Sequence, residues 1–262
     1  MTVASDCRDR FVRTRLLLGD AACDRLARAR VTVAGLGAVG SYACEALARC
    51  GVGHLRLVDF DTVRPSNINR QLYALGSTLG QRKADLATAR VHDINPSCQV
   101  ETFPLFIDPS NLDTVLDNTP DAIIDAIDSL GPKLSLLEAA AKAGLFVVSS
   151  MGAATRLDFR QVRVGDISET DVCPLARRIR KNLKKRGIPS GIRCVFSTEL
   201  VPAPALDLAL DAAAADREPH QRGRPRKPLG SVAFLTGIFG LIAAGEVVRH
   251  LAEPPPNKGK SA

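Results

Sequence analysis

The sequence predicts an α/β fold: a Rossmann-like, doubly wound, mostly parallel sheet with a less regular C-terminal part. Two observations carry this. Val31–Asp59 contains a short apolar strand, the turn Gly35-Leu-Gly-Ala-Val-Gly40, a helix and a second apolar strand, which together make a βαβ unit with a right-handed crossover. Beyond it, strand-like and helix-like segments keep alternating at the spacing that parallel pairing needs. With 262 residues, the chain can bury one good-sized core.

Taken in order, Arg10 to Leu26 is helical in pattern and ends in a charged turn. Val31–Ala34 is a buried strand, Ser41–Arg49 a helix closed by Gly51, and His54–Asp59 the second strand. Lys83–Ile94 reads as a helix, Gln99–Phe106 as a strand and Ser110–Leu116 as a helix. Asp121–Asp125 follows as a strand, Pro132–Ala143 as a helix and Leu145–Ser149 as a strand. Val162–Val164 and Arg193–Phe196 are later strands of the less regular part. One domain over 1–252 is expected, with halves at 10–150 and 151–252. An Ala-, Pro-, Arg- and Gly-rich stretch at 203–228 reads as a flexible insert or crossover loop, and 253–262 as a disordered tail.

Residues 229–251 hold an uncharged run from Ser231 to Gly245. A membrane span needs about 20 apolar residues, and Glu246 and Arg249 interrupt this run too early. It therefore reads as a buried helix, in which Gly237, Gly240 and Gly245 allow close packing on a sheet or a partner subunit. Membrane association is the alternative.

Bulk composition narrows the function. A net charge of +7 and a pI near 9.2 favour an anionic partner: nucleotide, nucleic acid or acidic lipid. Aromatic residues make up 4% and Trp is absent, which argues against stacking-based binding of single strands. The seven cysteines (7, 23, 44, 50, 98, 173 and 194) form no C-x-x-C pair, so a four-cysteine zinc ribbon has no ligands. Their odd number, with no basic-then-apolar leader at the start, argues against a secreted disulfide framework and for a reducing cytoplasm.

The motifs carry the chemistry. Gly35, Gly37 and Gly40 after a strand let backbone amides and a helix N-terminus approach a phosphate. A ligandless tight turn also fits this motif alone. Asp59 ends the next strand, where an acidic group bonds a ribose hydroxyl; so far a nicotinamide dinucleotide and ATP fit equally. Asp61, then Asn67-Ile-Asn69-Arg70-Gln71, then Lys83 at the next helix start, separate them. A nicotinamide site has no need of two fixed cations and a row of amides there. An α-phosphate under attack gains negative charge, which Arg70 and Lys83 would stabilise. A polar surface loop does not explain such a cluster directly beyond a nucleotide motif. At the carboxyl end of a later strand, Asp128 in Asp125-Ala-Ile-Asp128-Ser129 is the candidate Mg²⁺ ligand, and Asp125 a structural hydrogen-bonding group. Asp128 as a helix cap is the bland alternative.

This order of motifs resembles the ubiquitin-activating-enzyme-like adenylating family (the HesA, MoeB and ThiF group) over roughly residues 10–200 and 229–251. By that resemblance Gly35, Gly37, Gly40 and Asp59 hold adenosine, while Asp61, Asn67, Arg70 and Lys83 meet the ATP phosphates, with Asp128 binding the metal. Arg13, in Arg10-Phe-Val-Arg13, matches the arginine that family members push into the neighbouring subunit's ATP site, which implies a homodimer. The stretches RFVRTRLLLG, DFDTVRPSNINRQLYALGSTLGQRKA, DAIDS-x-x-PK and Cys194-Val-Phe-Ser-Thr-Glu199 are similar to the branch that cyclises threonylcarbamoyladenosine in tRNA, beside the anticodon, at the expense of ATP. The two C-x-x-C motifs usual in the sulfur-carrier adenylyltransferases are missing. Those branches imply the second reading: activation of a ubiquitin-like or sulfur-carrier protein's C-terminal carboxylate, with a cysteine-desulfurase or sulfur-acceptor system as partner. A third is a nucleotide-binding membrane or scaffold protein without turnover, resting on residues 229–251.

Cyclisation needs no enzyme nucleophile. Cys194 accordingly reads as a core thiol in a strand, with a thioester of the ubiquitin-activating kind as its alternative; Cys173 carries no assignment. Arg177 to Arg193 contains eight Lys or Arg and no acid. Arg177, Arg178, Lys181, Lys184 and Lys185 recur at helical spacing, giving a basic stripe for tRNA phosphates or merely a solvated face.

Overall fold

The computed structural model describes residues 10–200 and 229–254. The insert at 203–228 and all but the first two residues of the 253–262 tail lie outside them. The first half runs α1 (Val12–Leu18), α2 (Asp20–Arg28), β1 (Arg30–Ala34), α3 (Gly40–Arg49), β2 (His54–Val58), α4 (Lys83–Ile94), β3 (Gln99–Phe103) and α5 (Leu112–Leu116). The second runs β4 (Ala122–Asp125), α6 (Leu130–Lys142), β5 (Phe146–Ser150), β6 (Val162–Asp166), α7 (Pro174–Lys185), β7 (Arg193–Ser197) and α8 (Ala233–Ala252). The strands form one sheet in the order β3-β2-β1-β4-β5-β7-β6. All neighbours are parallel except β6, which runs antiparallel to β7. The fold is the expected mostly parallel α/β sheet. Chain order switches direction at β1, with β2 and β3 on one side and β4 and β5 on the other, so the switch point, where sheets of this kind bind ligands, lies at the carboxyl ends of β1 and β4.

A parallel sheet covered on both faces needs strands that are apolar on both faces, and every residue of β4 and all but the first of β1 and β2 are buried. One core layer holds Val31, Val33, Leu55 and Leu57 of the strands with Leu47 of α3, Val91 of α4 and Phe239 of α8. The other packs Val58, Ile123 and Val147 against Leu136 and Leu137 of α6 and Ile179 and Leu183 of α7.

The opening helix breaks in two at Gly19, whose φ of 82° and ψ of 164° form a conformation nearly restricted to glycine. The strand predicted to reach Phe106 stops at Phe103, because Pro104 has no N–H for the ladder. The helix expected from Ser110 begins at Leu112, since Asp108 accepts from the Ser110 amide at 2.9 Å and holds that segment in a turn. The 229–251 run is helix α8, resting on α3. A Cβ at Gly237 would stand 3.3 Å from the Tyr42 ring, and one at Gly240 would strike the Val39 carbonyl. Gly245 has open space before it, so the close packing uses two of the three glycines. Among the described residues α8 is the one helix long and apolar enough to cross a membrane, and half of it is buried within the fold.

Candidate active site

The glycine turn is shaped by sterics. Gly35 takes φ 88° and donates its N–H to the Val58 carbonyl at 2.8 Å; a Cβ there would stand 2.9 Å from the Ala126 oxygen. At Gly40 a Cβ would overlap the Gly35 carbonyl. Gly37 differs: the nearest atom to its missing Cβ is Gln71 Nε2, at 3.7 Å. Two glycines therefore close the turn and the third leaves room in front of it. No side chain caps α3; its Ser41 and Ala43 amides donate back to the Gly37 and Val39 carbonyls, and the positive end of its dipole lies at the glycine turn.

Asp59 lies at the tip of β2 and is buried. Its Oδ2 accepts from Leu36 N–H at 2.6 Å and its Oδ1 from Asp61 N–H at 2.8 Å, which locks the glycine turn to the next loop. Burial raises the Asp59 carboxyl above the usual carboxylate range, against the opposite pull of Lys83 and the two amides. That loop is tied at its neck: Lys83 N–H donates to the Asp61 carbonyl at 3.0 Å, and Thr62 bridges Arg82. The neck returns Lys83, distant in sequence, to Asp61, with Nζ 3.0 Å from Oδ2 and the lysine buried.

At its far end the loop folds onto α3, with Leu72 N–H on Ser41 Oγ and Tyr73 OH on the Ser41 carbonyl, both at 3.2 Å. Asn67, buried, accepts from Arg64 N–H at 3.1 Å and closes a 3₁₀ turn. Arg70 donates from Nη1 to the Ser66 carbonyl at 2.7 Å and to Asn69 Oδ1 at 2.8 Å. Asn69 in turn donates from Nδ2 to the Ser231 carbonyl at 2.9 Å, strapping the loop to the approach of α8. Gln71 faces Gly37, and its Oε1 is buried with no hydrogen-bond donor.

Across the crevice, Asp125 and Lys133 form a fully buried pair at 2.7 Å. Asp125 also accepts from Ser149 Oγ at 2.7 Å and from Ile127 N–H at 3.1 Å, while Lys133 Nζ donates to the Ile127 carbonyl at 3.0 Å. Asp125 is thus a structural group, as the sequence indicated, and Lys133 joins it in fixing the loop that presents Asp128 (a role the sequence did not disclose). Asp128 is exposed at the carboxyl edge, and Ser129, not Asp128, occupies the cap position of α6. Among the described residues no group of three or more His, Cys, Asp or Glu gathers to cage a metal. One exposed carboxylate fits Mg²⁺, which takes its remaining ligands from water and phosphate oxygens.

Two predicted groups stand apart from this crevice. Arg13 is exposed on α1, whose neighbour Phe11 packs on Gly51 and whose neighbour Arg10 reaches the carbonyls of Asp93 and Ile94. Those contacts lie at the amino edge of the sheet, so the structure does not bring Arg13 to the site of its own chain. Arg177, Arg178, Lys181, Lys184 and Lys185 are exposed along α7, while Ala176, Ile179 and Leu183 are buried beneath. Cys194 is wholly buried, its thiol raised well above the ordinary range by desolvation, and its Sγ donates to the Ile192 carbonyl at 3.5 Å. It is a core thiol.

A glycine turn locked to a buried aspartate, with arginine, lysine and an exposed aspartate arrayed beside it, belongs to proteins that bind a nucleotide by its phosphates at a switch point of the sheet. The chain is a member of the ThiF family, whose model matches residues 10–261. It is 38% identical over 241 residues to the tRNA threonylcarbamoyladenosine dehydratase of Bacillus subtilis (strain 168), covering 92% of this chain and 94% of that protein. The crystal structure of the E. coli tRNA N6-threonylcarbamoyladenosine dehydratase, TcdA, in complex with ATP superposes with a TM-score of 0.82 at 32% identity, covering 96% of this chain and 97% of that one. The adenylyltransferase and sulfurtransferase UBA4 of Eremothecium gossypii is 34% identical over 131 residues, or 50% of this chain and 29% of that protein.

Proposed function

We propose that this chain is an ATP-dependent carboxylate-adenylating enzyme that dehydrates threonylcarbamoyladenosine in tRNA, next to the anticodon, to its cyclic form. The observation that carries this reading is the convergence of the glycine turn, Asp59, Arg70, Lys83 and Asp128 on one sheet edge, in a chain alike to tRNA threonylcarbamoyladenosine dehydratases over nearly its whole length. Gly35, Gly37, Gly40 and Asp59 hold adenosine; each Asp59 oxygen takes one amide and keeps a lone pair for a ribose hydroxyl. The unpartnered Gln71 Oε1 awaits a donor from the nucleotide. Asn67 and Asn69 shape the loop that presents Arg70.

Asp128 would hold Mg²⁺, which bound there would offset phosphate charge. The threonyl carboxylate attacks the α-phosphorus, a P–O bond forms and pyrophosphate leaves. Arg70 and Lys83 bear the charge that collects on the phosphoryl oxygens, where Lys83 exchanges Asp61 for phosphate. The ureido nitrogen then attacks the activated carbonyl, loses its proton, and AMP departs with the carboxylate oxygen, so the ring closes with net loss of water. Holding both groups in one molecule supplies much of the rate.

Tethering of the tRNA falls to the α7 stripe, and Arg13 completes the site of the second subunit in a homodimer. Cysteines free of disulfides among the described residues fit a reducing cytoplasm. Activation of a ubiquitin-like or sulfur-carrier protein, served by a cysteine-desulfurase or sulfur-acceptor system, has likeness over only half the chain behind it. AMP release separates the two: we expect it to rise with threonylcarbamoylated tRNA and not with a protein ending in Gly-Gly. The opposite pattern would transfer the chain to the sulfur-carrier branch.

A further inference from the structure

Arg156 lies just beyond β5 and is 4% exposed. Its Nη1 donates to the Gly152 and Ala154 carbonyls at 2.7 and 3.1 Å, but its Nε and Nη2 are buried with no acceptor. The nearby acids are engaged elsewhere: Asp158 pairs with Arg160, Glu199 accepts the amides of Leu157 and Asp158, and Asp171 accepts that of Val172. A buried, uncompensated guanidinium is among the costlier features a fold can carry, and it points to a counter-ion from outside the chain.

The Nη1 side of the guanidinium, already held by the Gly152 and Ala154 carbonyls, shares the space in front of Gly152 with the start of α7. The empty position in front of Gly152 is 3.6 Å from Arg156 Nη1, 3.4 Å from Cys173 Sγ at the helix cap and 3.9 Å from Leu175 in the first turn. This helix end has no side-chain cap and no acid in its first turn, so its positive dipole end is also unanswered. Both walls are strained at β-branched residues: Thr155 has φ 64° and Val172 φ 59°, the latter in a γ-turn closed by Cys173 N–H on the Asp171 carbonyl at 2.5 Å. Such strain gathers at ligand clamps. The Arg156 loop is also tied to the nucleotide loop, since Thr155 N–H donates to the Gly230 carbonyl at 2.8 Å and Asn69 to the next one, that of Ser231.

We infer that Arg156 and the N-terminus of α7 form the oxyanion site that holds the acceptor's carboxylate beside the α-phosphate. This rests on the adenylating function proposed above. The side-on edge of the guanidinium, Nε and Nη2, takes the two carboxylate oxygens, each of which keeps a lone pair for attack. Because those nitrogens are closed to water, the strained Gly152–Arg156 loop opens to admit the carboxylate.

The test uses the full-length chain with Arg156→Gln and Arg156→Lys, two small probes (N-carbamoylthreonine and its carboxamide) and the modified tRNA. Thermal stabilisation by the acid and not by the amide is expected for wild type, with the difference lost in Arg156→Gln and reduced in Arg156→Lys. In turnover, Arg156→Gln should raise KM for tRNA about tenfold to a hundredfold while leaving KM for ATP within about twofold. Should Arg156→Gln fail to fold, the lysine variant carries both readouts, with an expected rise in KM for tRNA of about tenfold. Equal response of wild type to acid and amide overturns the inference. So does an unchanged acid preference in the variants, or a parallel loss of ATP affinity, which would give the site to the triphosphate. Acid-selective stabilisation without any tRNA-dependent ATP consumption supports the oxyanion site and overturns the assigned substrate instead.

Discussion

Asp59, the proposed ribose acceptor, is a buried carboxylate that carries a cost in stability. Its oxygens hold the amides of Leu36 and Asp61, yet burial raises its pKa in the folded chain. A carboxyl raised on folding stabilises the fold at pH below its unfolded value, and that contribution is lost as pH rises through the folded value. At neutral pH the ionised group is therefore a burden on the fold. Asp59→Asn removes the buried charge but leaves one oxygen for two amides, so the two effects offset and the midpoint of thermal unfolding at pH 7 should move little, while ATP affinity falls about tenfold or more through the lost charged acceptor. Calorimetric titration and a melting curve on one preparation check both; a large drop in the midpoint would make Asp59 a structural residue first. Asp59, Arg70, Lys83 and Asp128 could be named as candidates from the sequence because residue type and order point to phosphate chemistry. Arg156 and Lys133 were not, since their meaning lies in burial and in which partners are missing or present, and spacing carries neither.

At the scale of elements, α8 and α3 are held together by what two glycines lack. Gly240→Ala would push a methyl group into the Val39 carbonyl and lie 3.0 Å from Ala43 N, so helix or turn must shift. We expect a loss of about 1–3 kcal/mol in denaturant unfolding. Gly245→Ala, with open space before it, should be neutral or stabilising by up to about 1 kcal/mol; equal effects of the two would refute the packing account. Because α3 begins at the glycine turn, displacement of α8 should also weaken ATP binding in the Gly240 variant. The apolar run that makes α8 was visible in the sequence, but which of its glycines meets a neighbour depends on rotation about the helix axis, and uncharged residues on all sides left that open. The break at Gly19 escaped for a related reason: the helical pattern continues across it, and a single residue in a glycine-only conformation redirects the chain.

Across the whole molecule, the sheet separates two edges. The carboxyl edge carries the crevice, and the amino edge carries α1 with Arg13 and the exposed Val12, Leu16 and Leu17. A group on the far edge serves catalysis only in another subunit, so the homodimer proposal makes a quantitative demand. Arg13→Ala and Asp128→Ala, each inactive alone, should recover about a quarter of the wild-type rate when mixed and allowed to exchange, since half the dimers are mixed and each holds one intact site. No recovery, with exchange verified, would place Arg13 outside the reaction.

The fate of the modified nucleoside is the most direct readout of the proposed dehydration. Purified chain, ATP, Mg²⁺ and threonylcarbamoylated tRNA should yield AMP and pyrophosphate in equal amounts, together with a nucleoside lighter by one water in the mass spectrum of the digested tRNA. A threonylcarbamoyladenosine peak unchanged in mass after full incubation with active protein would contradict it.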